Sequence, residues 1–178
     1  ARHAGKTDYN FVWNHFKYDS AHWVDCPQDK PFFAIFQFKG GKGRGKTNEE
    51  VDPDSVTLPP YYPDHPVIRK DWAKYLATWL RADRELGIAI EQLKEGGRLA
   101  NTAIFFTTDH GVSHLRGKQF AYEEGIHVPL IMSLPHGKSP GSTRKDMVTQ
   151  IDVSATSLAL AGIPIPANVQ GHDFLAKD

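Results

Sequence analysis

The sequence contains a single cysteine, Cys26, among 178 residues. One thiol forms no intrachain disulfide and no cysteine-rich zinc cage. Charge of one sign is not in excess either: 21 Lys and Arg stand against 21 Asp and Glu. No overall field therefore steers the chain toward nucleic acid or a membrane surface. Long apolar runs are also missing, since the longest fall far short of the roughly 18 residues a membrane span needs. No segment repeats. The length fits one domain able to bury a sizeable core.

What the sequence does have is concentrated in residues 103–134, AIFFTTDHGVSHLRGKQFAYEEGIHVPLIMSL. Two short apolar runs, 103–106 and 129–134, bound this stretch. Such runs between turn signals read as buried strands, and burial on both faces is the habit of parallel sheets. The expected fold class is therefore α/β, a mainly parallel sheet flanked by helices. Between the runs lie Asp109, His110, His114, Arg116, Lys118, Glu123, Glu124 and His127. A strand ending in Thr-Thr-Asp-His-Gly delivers a carboxylate and an imidazole at its carboxyl end, where open α/β sheets bind ligands, and the glycine permits a sharp turn. Asp109 offers oxygen donors and His110 a nitrogen, so the pair can hold a divalent cation if other carboxylates join them. Lys118 follows nine residues after Asp109. A loop that curls back sets its ammonium beside the metal, an arrangement suited to a phosphoryl or sulfuryl group. From these residues alone, a charged surface loop is the competing reading.

The run T-T-D-H-G, then G-K-x-x-x-Y-E-E-G and V-P-L-I, resembles the metal-binding strand and following loop of the sulfatases in the alkaline phosphatase superfamily. Residues 30–38 (KPFFAIFQF), 81–97 and 150–164 (QIDVSATSLALAGIP) are similar to further segments of that family, in the same order. The resemblance implies a hydrolase of sulfate esters or sulfamates, with a calcium ion holding the sulfate oxygens and a formylglycine nucleophile. It implies Asp109 and His110 as metal ligands, and Lys118 and Lys6 as the cations that neutralise charge on sulfate and leaving oxygen. Lys6 lies in Gly5-Lys6-Thr7-Asp8, which resembles the family's G-K-x-H; Asp8 stands in the histidine's place as a substrate-binding candidate. Lys42 falls near a second family histidine and is the other substrate-binding candidate. A lysine there binds an anion but donates a proton poorly near neutral pH unless its pKa is lowered. Residues 117–125 resemble heparan N-sulfatase-like relatives, which favours a sulfated sugar.

Cys26 does not match the family's C-x-P-x-R, because Pro27 comes one place early and no arginine follows. It reads as an ordinary thiol. The nucleophile is therefore expected outside this sequence. Residues 1–178 are expected to form the central and C-terminal part of a catalytic domain, without the N-terminal nucleophile segment and the C-terminal subdomain. An extracytoplasmic location, whether periplasmic, secreted or lysosomal, follows from the resemblance alone. The partner is a sulfated small molecule or glycan, with no nucleic acid and no membrane span. Two alternatives stay open: a phosphodiesterase or phosphonate hydrolase of the same superfamily, and a non-catalytic piece that binds an anionic glycan through the cationic, glycine-rich loop 39–46, KGGKGRGK.

Elsewhere the patterns predict a strand at 31–38, an irregular proline-rich segment at 48–66, and a helix from 67 stopped by Gly96-Gly97. In that helix the stripe Trp72, Tyr75, Leu76, Trp79, Leu80, Leu86, Ile90 and Leu93 reads as core. Asp64 and His65 read as surface residues. A second helix is predicted over 152–161, ended by Gly162. Arg116 is expected to point to solvent.

Overall fold

A thirty-residue helix, α1 (Pro66–Glu95), organises the first part of the computed structural model. Proline at the first helical position suits a start because the missing N–H has no intrahelical partner there. His65 caps that end, its Nδ1 accepting from Val67 N at 3.2 Å. At the other end Gly96 N donates to Gln92 O at 3.0 Å, and Gly97 takes the left-handed φ of 66° that stops helices. Residues 2–3, 20, 22–41, 45–138 and 140–176 are described by the structure. They fall into two units, 1–97 with 110–128, and 98–109 with 129–178.

The buried face of α1 is not the aromatic stripe. Ala73, Ala77, Thr78, Ala82 and Leu93 are buried, whereas Trp72, Tyr75 and Trp79 are half-buried and Leu80 is exposed. Small side chains win because a second backbone lies directly on the helix. A Cβ at Gly40 would stand 2.2 Å from Thr78 O, and Gly41 N donates to Thr78 Oγ1 at 3.1 Å. The proline-rich segment is irregular, as its composition requires, and Arg69 holds it. The guanidinium donates to both carboxylate oxygens of Asp64, at 2.5 and 2.9 Å, and to Val56 O at 3.1 Å. Asp64 and His65 thus serve the start of α1.

Strand pairing departs from expectation in two places. The apolar run 31–38 contributes only β2 (Ile35–Phe36), parallel to the equally short β1 (Arg2–His3). In the second unit β3 (Ile104–Thr107) pairs with β4 (Leu130–Ser133), and this pair is antiparallel. Parallel strands need a long crossover, usually a helix. The connection here holds only the single helical turn α2 (Glu123–Ile126). Burial agrees: β3 is half-buried throughout, and β4 alternates, with Ile131 exposed. An antiparallel pair tolerates such an open face.

The last helix, α3 (Gln150–Leu160), starts two residues before the predicted position because Thr149 and Asp152 form a capping box. Asp152 is 2% exposed. Its carboxylate accepts from Thr149 N at 2.8 Å, Thr149 Oγ1 at 2.7 Å and His172 N at 3.0 Å, with His172 Nδ1 at 2.9 Å. The backbone bond from His172, then those from Thr149, hold its carboxyl down at about 2. Gly162, at φ 69°, ends α3 as expected. No helix among the described residues is long and apolar enough to cross a membrane.

Candidate active site

The loop 110–128 folds back on itself, and three glycines make this possible. Gly111 N donates to Gly125 O at 3.0 Å. The two backbones approach so closely that a Cβ at Gly111 would lie 1.7 Å from Glu124 O, and one at Gly125 2.1 Å from Phe120 O. At Gly117 a Cβ would meet Val112 O at 1.9 Å. Lys118 N donates to Val112 O at 2.7 Å, and Gly117 N to His114 O at 3.1 Å. The turn predicted from the spacing is therefore present in the backbone. Lys118, half-buried, returns to the residues that follow His110.

The start of α1 fixes this turn from the side. His114 Nε2 lies 3.1 Å from Asp71 Oδ2, and its side chain is 7% exposed among the rings of Tyr62, Trp72 and Tyr75. A carboxylate only accepts, so Nε2 carries the proton. Tyr62 adds a hydroxyl donated to Leu115 O at 2.9 Å. The aromatic residues of α1 are thus walls for a histidine on the loop. Nothing in the helical period alone reveals that use.

His110 Nδ1 is 2.7 Å from Gly111 O. A carbonyl oxygen cannot donate, so Nδ1 bears the hydrogen and the neutral ring keeps its lone pair on Nε2. That tautomer is the one a metal ligand uses when its other nitrogen donates to a carbonyl. Asp109 is exposed and belongs to the second unit, just beyond the last paired residue of β3. In the same unit the Gln150 side-chain amide donates to Thr108 O, so the start of α3 supports the strand end. Among the described residues no group of three or more His, Cys, Asp or Glu side chains is placed to hold a metal ion. Asp109 and His110 offer two donors, one carboxylate and one imidazole nitrogen, where calcium takes six to eight oxygen ligands. Lys6, Asp8 and Lys42 lie outside the described residues.

Arg116 is exposed, as expected, and its side chain is also held in place. Its guanidinium carbon lies 4.3 Å from the centroid of the Tyr122 ring and 5.1 Å from that of Tyr61. Arg116 Nε is 3.9 Å from Glu124 Oε2. Burial, then a hydrogen bond donated to Glu124, push the Tyr61 phenol up to about 12. His127 Nδ1 and Glu123 Oε1 pair at 2.5 Å on the exposed side of α2. Around the cationic loop, a groove of about 790 Å³ is lined by Lys46, Lys74, Arg81 and Arg84 together with Glu49 and Glu85. Arg81 bonds Glu85 at 2.8 Å and Lys46 O at 2.6 Å, and Arg84 pairs with Glu49 at 2.5 Å. Two of the four cations thus have internal partners.

A family model described as Sulfatase matches residues 5–163. The chain belongs to the sulfatase family. Human N-sulphoglucosamine sulphohydrolase is 30% identical over 80% of this sulfatase chain and 30% of its own length. One solved structure, a complex with its substrate D-glucosamine-2-N,6-O-disulfate, superposes with a TM-score of 0.53 at 30% identity, covering 62% of this chain and 24% of that one. The phosphonate monoester hydrolase of Silicibacter pomeroyi superposes with a TM-score of 0.56 at 30% identity, covering 70% of this chain and 26% of that one. The α/β architecture is thus shared with sulfatase and phosphonate hydrolase folds. The chain spans about a third of the length of the curated relatives it matches, 36% and 30% for two of them.

Proposed function

We propose that the protein carrying this chain hydrolyses a sulfate ester or sulfamate on a sulfated carbohydrate. Family membership supports the reaction type. The sugar is supported by two relatives whose names carry N-sulfated glucosamine, one as the enzyme's name and one as a bound substrate. The observation that carries the assignment is the closed loop 111–125, which returns Lys118 beside the segment that begins at His110.

In this reading Lys118 and Lys6 neutralise charge that grows on the sulfate and the leaving oxygen, an interaction that strengthens in the transition state. Asp8 and Lys42 contact the substrate. Asp109 and His110 ligate a divalent ion, proposed as calcium, which when bound polarises the sulfate oxygens. The fixed tautomer of His110 and the exposed carboxylate of Asp109 support those roles, with the remaining oxygen donors contributed from elsewhere. The nucleophile, a formylglycine by family resemblance, is likewise contributed from outside these residues. No Cys or Ser of the chain stands in a C-x-P-x-R context.

A phosphonate monoester hydrolase is the second reading, favoured by the superposition with that enzyme. One comparison separates the two. The full-length protein, in calcium, is offered glucosamine N-sulfate and an aryl phosphonate monoester at equal concentration. Sulfate release exceeding phosphonate cleavage by more than about a hundredfold, some 2.7 kcal/mol of transition-state discrimination, is the expected outcome. The opposite preference transfers the assignment to the second reading.

A further inference from the structure

The loop that carries Lys118 also carries a cluster that the proposed chemistry does not use. Phe120 stacks on Tyr122 with ring centroids 6.2 Å apart and planes 29° from parallel. Both rings are about half exposed, at 52% and 48%. Tyr122 is also one of the two faces that hold the Arg116 guanidinium, with Tyr61 as the other. Apolar rings left in water beside a fixed cation form a surface with a preferred ligand.

Two further observations set this cluster apart from an ordinary patch. The backbone is left-handed at Arg116, φ 67°, and at Gln119, φ 78°. Neither residue is glycine, asparagine or aspartate, and such conformations persist where the surroundings enforce them, commonly at ligand clamps. In addition, Arg116 is oriented without being neutralised at contact distance. Glu124, engaged by the Tyr61 hydroxyl, stands 3.9 Å from Nε, beyond hydrogen-bonding range. The guanidinium fork is thus preorganised by two ring faces and a distant carboxylate. Arg116 lies two residues from Lys118 on one closed turn, so their Cα atoms are within about 7 Å of each other.

We propose that Phe120, Tyr122 and Arg116 form a saccharide subsite that takes the sugar next to the one hydrolysed, the rings stacking on its apolar C–H face and Arg116 donating to its acidic substituent. The proposal rests on the reading of the protein as a hydrolase of sulfated carbohydrates. A pyranose presents a flat C–H face that an aromatic ring covers, and the planar guanidinium matches a sulfate or carboxylate bidentately. The ligand is then an anionic oligosaccharide, and a lone sulfated monosaccharide leaves the subsite empty.

The test compares glucosamine N-sulfate with an N-sulfated, uronate-containing tetrasaccharide in the full-length protein. In Phe120→Ala and Arg116→Gln the ratio of tetrasaccharide to monosaccharide kcat/KM should fall about tenfold, one contact's worth of affinity. The loss should appear in the KM for the tetrasaccharide, with Arg116→Lys partly restoring it. Equal losses on both substrates, or an unchanged ratio, overturn the subsite. If Arg116→Gln does not fold, Phe120→Ala decides the question. If the wild type turns over neither substrate, the hydrolase reading fails by itself, and calorimetric titration with the tetrasaccharide judges the subsite. Tighter binding by wild type than by Phe120→Ala supports it, and equal binding overturns it.

Discussion

Adding one methyl group at Gly111 should open the loop that positions Lys118, while the same methyl at Gly87 should strengthen the protein. At Gly111 the new Cβ would lie 1.7 Å from Glu124 O, 2.7 Å from Glu124 C and 2.9 Å from Gly125 Cα. All three are backbone atoms, so no rotamer relieves the clash. One strand of the loop must retreat by more than an ångström, and the bond from Gly111 N to Gly125 O is lost. Overpacking costs about 1–3 kcal/mol and a lost hydrogen bond about 1, giving roughly 2–4 kcal/mol. Displacing a catalytic cation by about 1 Å costs on the order of a hundredfold in rate. Gly87 sits within α1, has nothing within 4 Å of its missing Cβ and carries no positive φ. Gly87→Ala should therefore stabilise by about 0.5–1 kcal/mol with unchanged turnover. Urea unfolding of the full-length variants gives the stabilities, and hydrogen exchange at the Lys118 amide, donated to Val112 O, reports the loop. If Gly111→Ala matches Gly87→Ala in stability, exchange and rate, the close backbone approach is not what holds Lys118.

Two other outcomes follow from the structure. The Asp152 carboxyl sits near 2, below its ordinary 3.8, so it stabilises the fold above the unfolded value and loses that contribution as pH falls from about 4 toward 2. Asp152→Asn should cost about 2 kcal/mol at pH 7, with the difference from wild type shrinking in urea unfolding at pH 3; a gap independent of pH contradicts the assignment. Calcium should bind the 178-residue chain with a dissociation constant weaker than about 100 µM, because Asp109 and His110 are two ligands of the six to eight needed. A calorimetric value in the micromolar range or below refutes that ligand count.

The turn of the loop was legible in the sequence where backbone chemistry is encoded locally. Gly111 and the spacing to Lys118 allowed a loop that curls back, and Gly96-Gly97 and Gly162 marked helix ends; the close approaches at Gly117 and Gly125 came only with the fold. Strand direction was not legible, since an apolar run such as 103–106 reads alike in either pairing and only the missing crossover helix decides it. Burial along α1 was misjudged because size was taken for depth. Thr78 and Ala82 are buried since the Gly40 backbone rests on them, which no period in the helix discloses. The partners of Arg116 come from Tyr61, far away in sequence, and from Tyr122, so its orientation emerges only with the fold. His114, read as one charge among many, proved to be the side chain that fastens the loop to α1 through Asp71.

The central claim turns on Lys118, and the rate of sulfate release from glucosamine N-sulfate by the full-length protein tests it most directly. Lys118→Ala, shown by its unfolding curve to be folded, should lose roughly 10² to 10³ in kcat with a smaller change in KM, the scale for deleting one donor to developing charge. Lys94→Ala, which removes an exposed lysine paired with Glu91 at 3.1 Å, is the control for loss of a positive charge and should keep the wild-type rate. A Lys118→Ala protein that releases sulfate as fast as the Lys94→Ala protein would contradict the account.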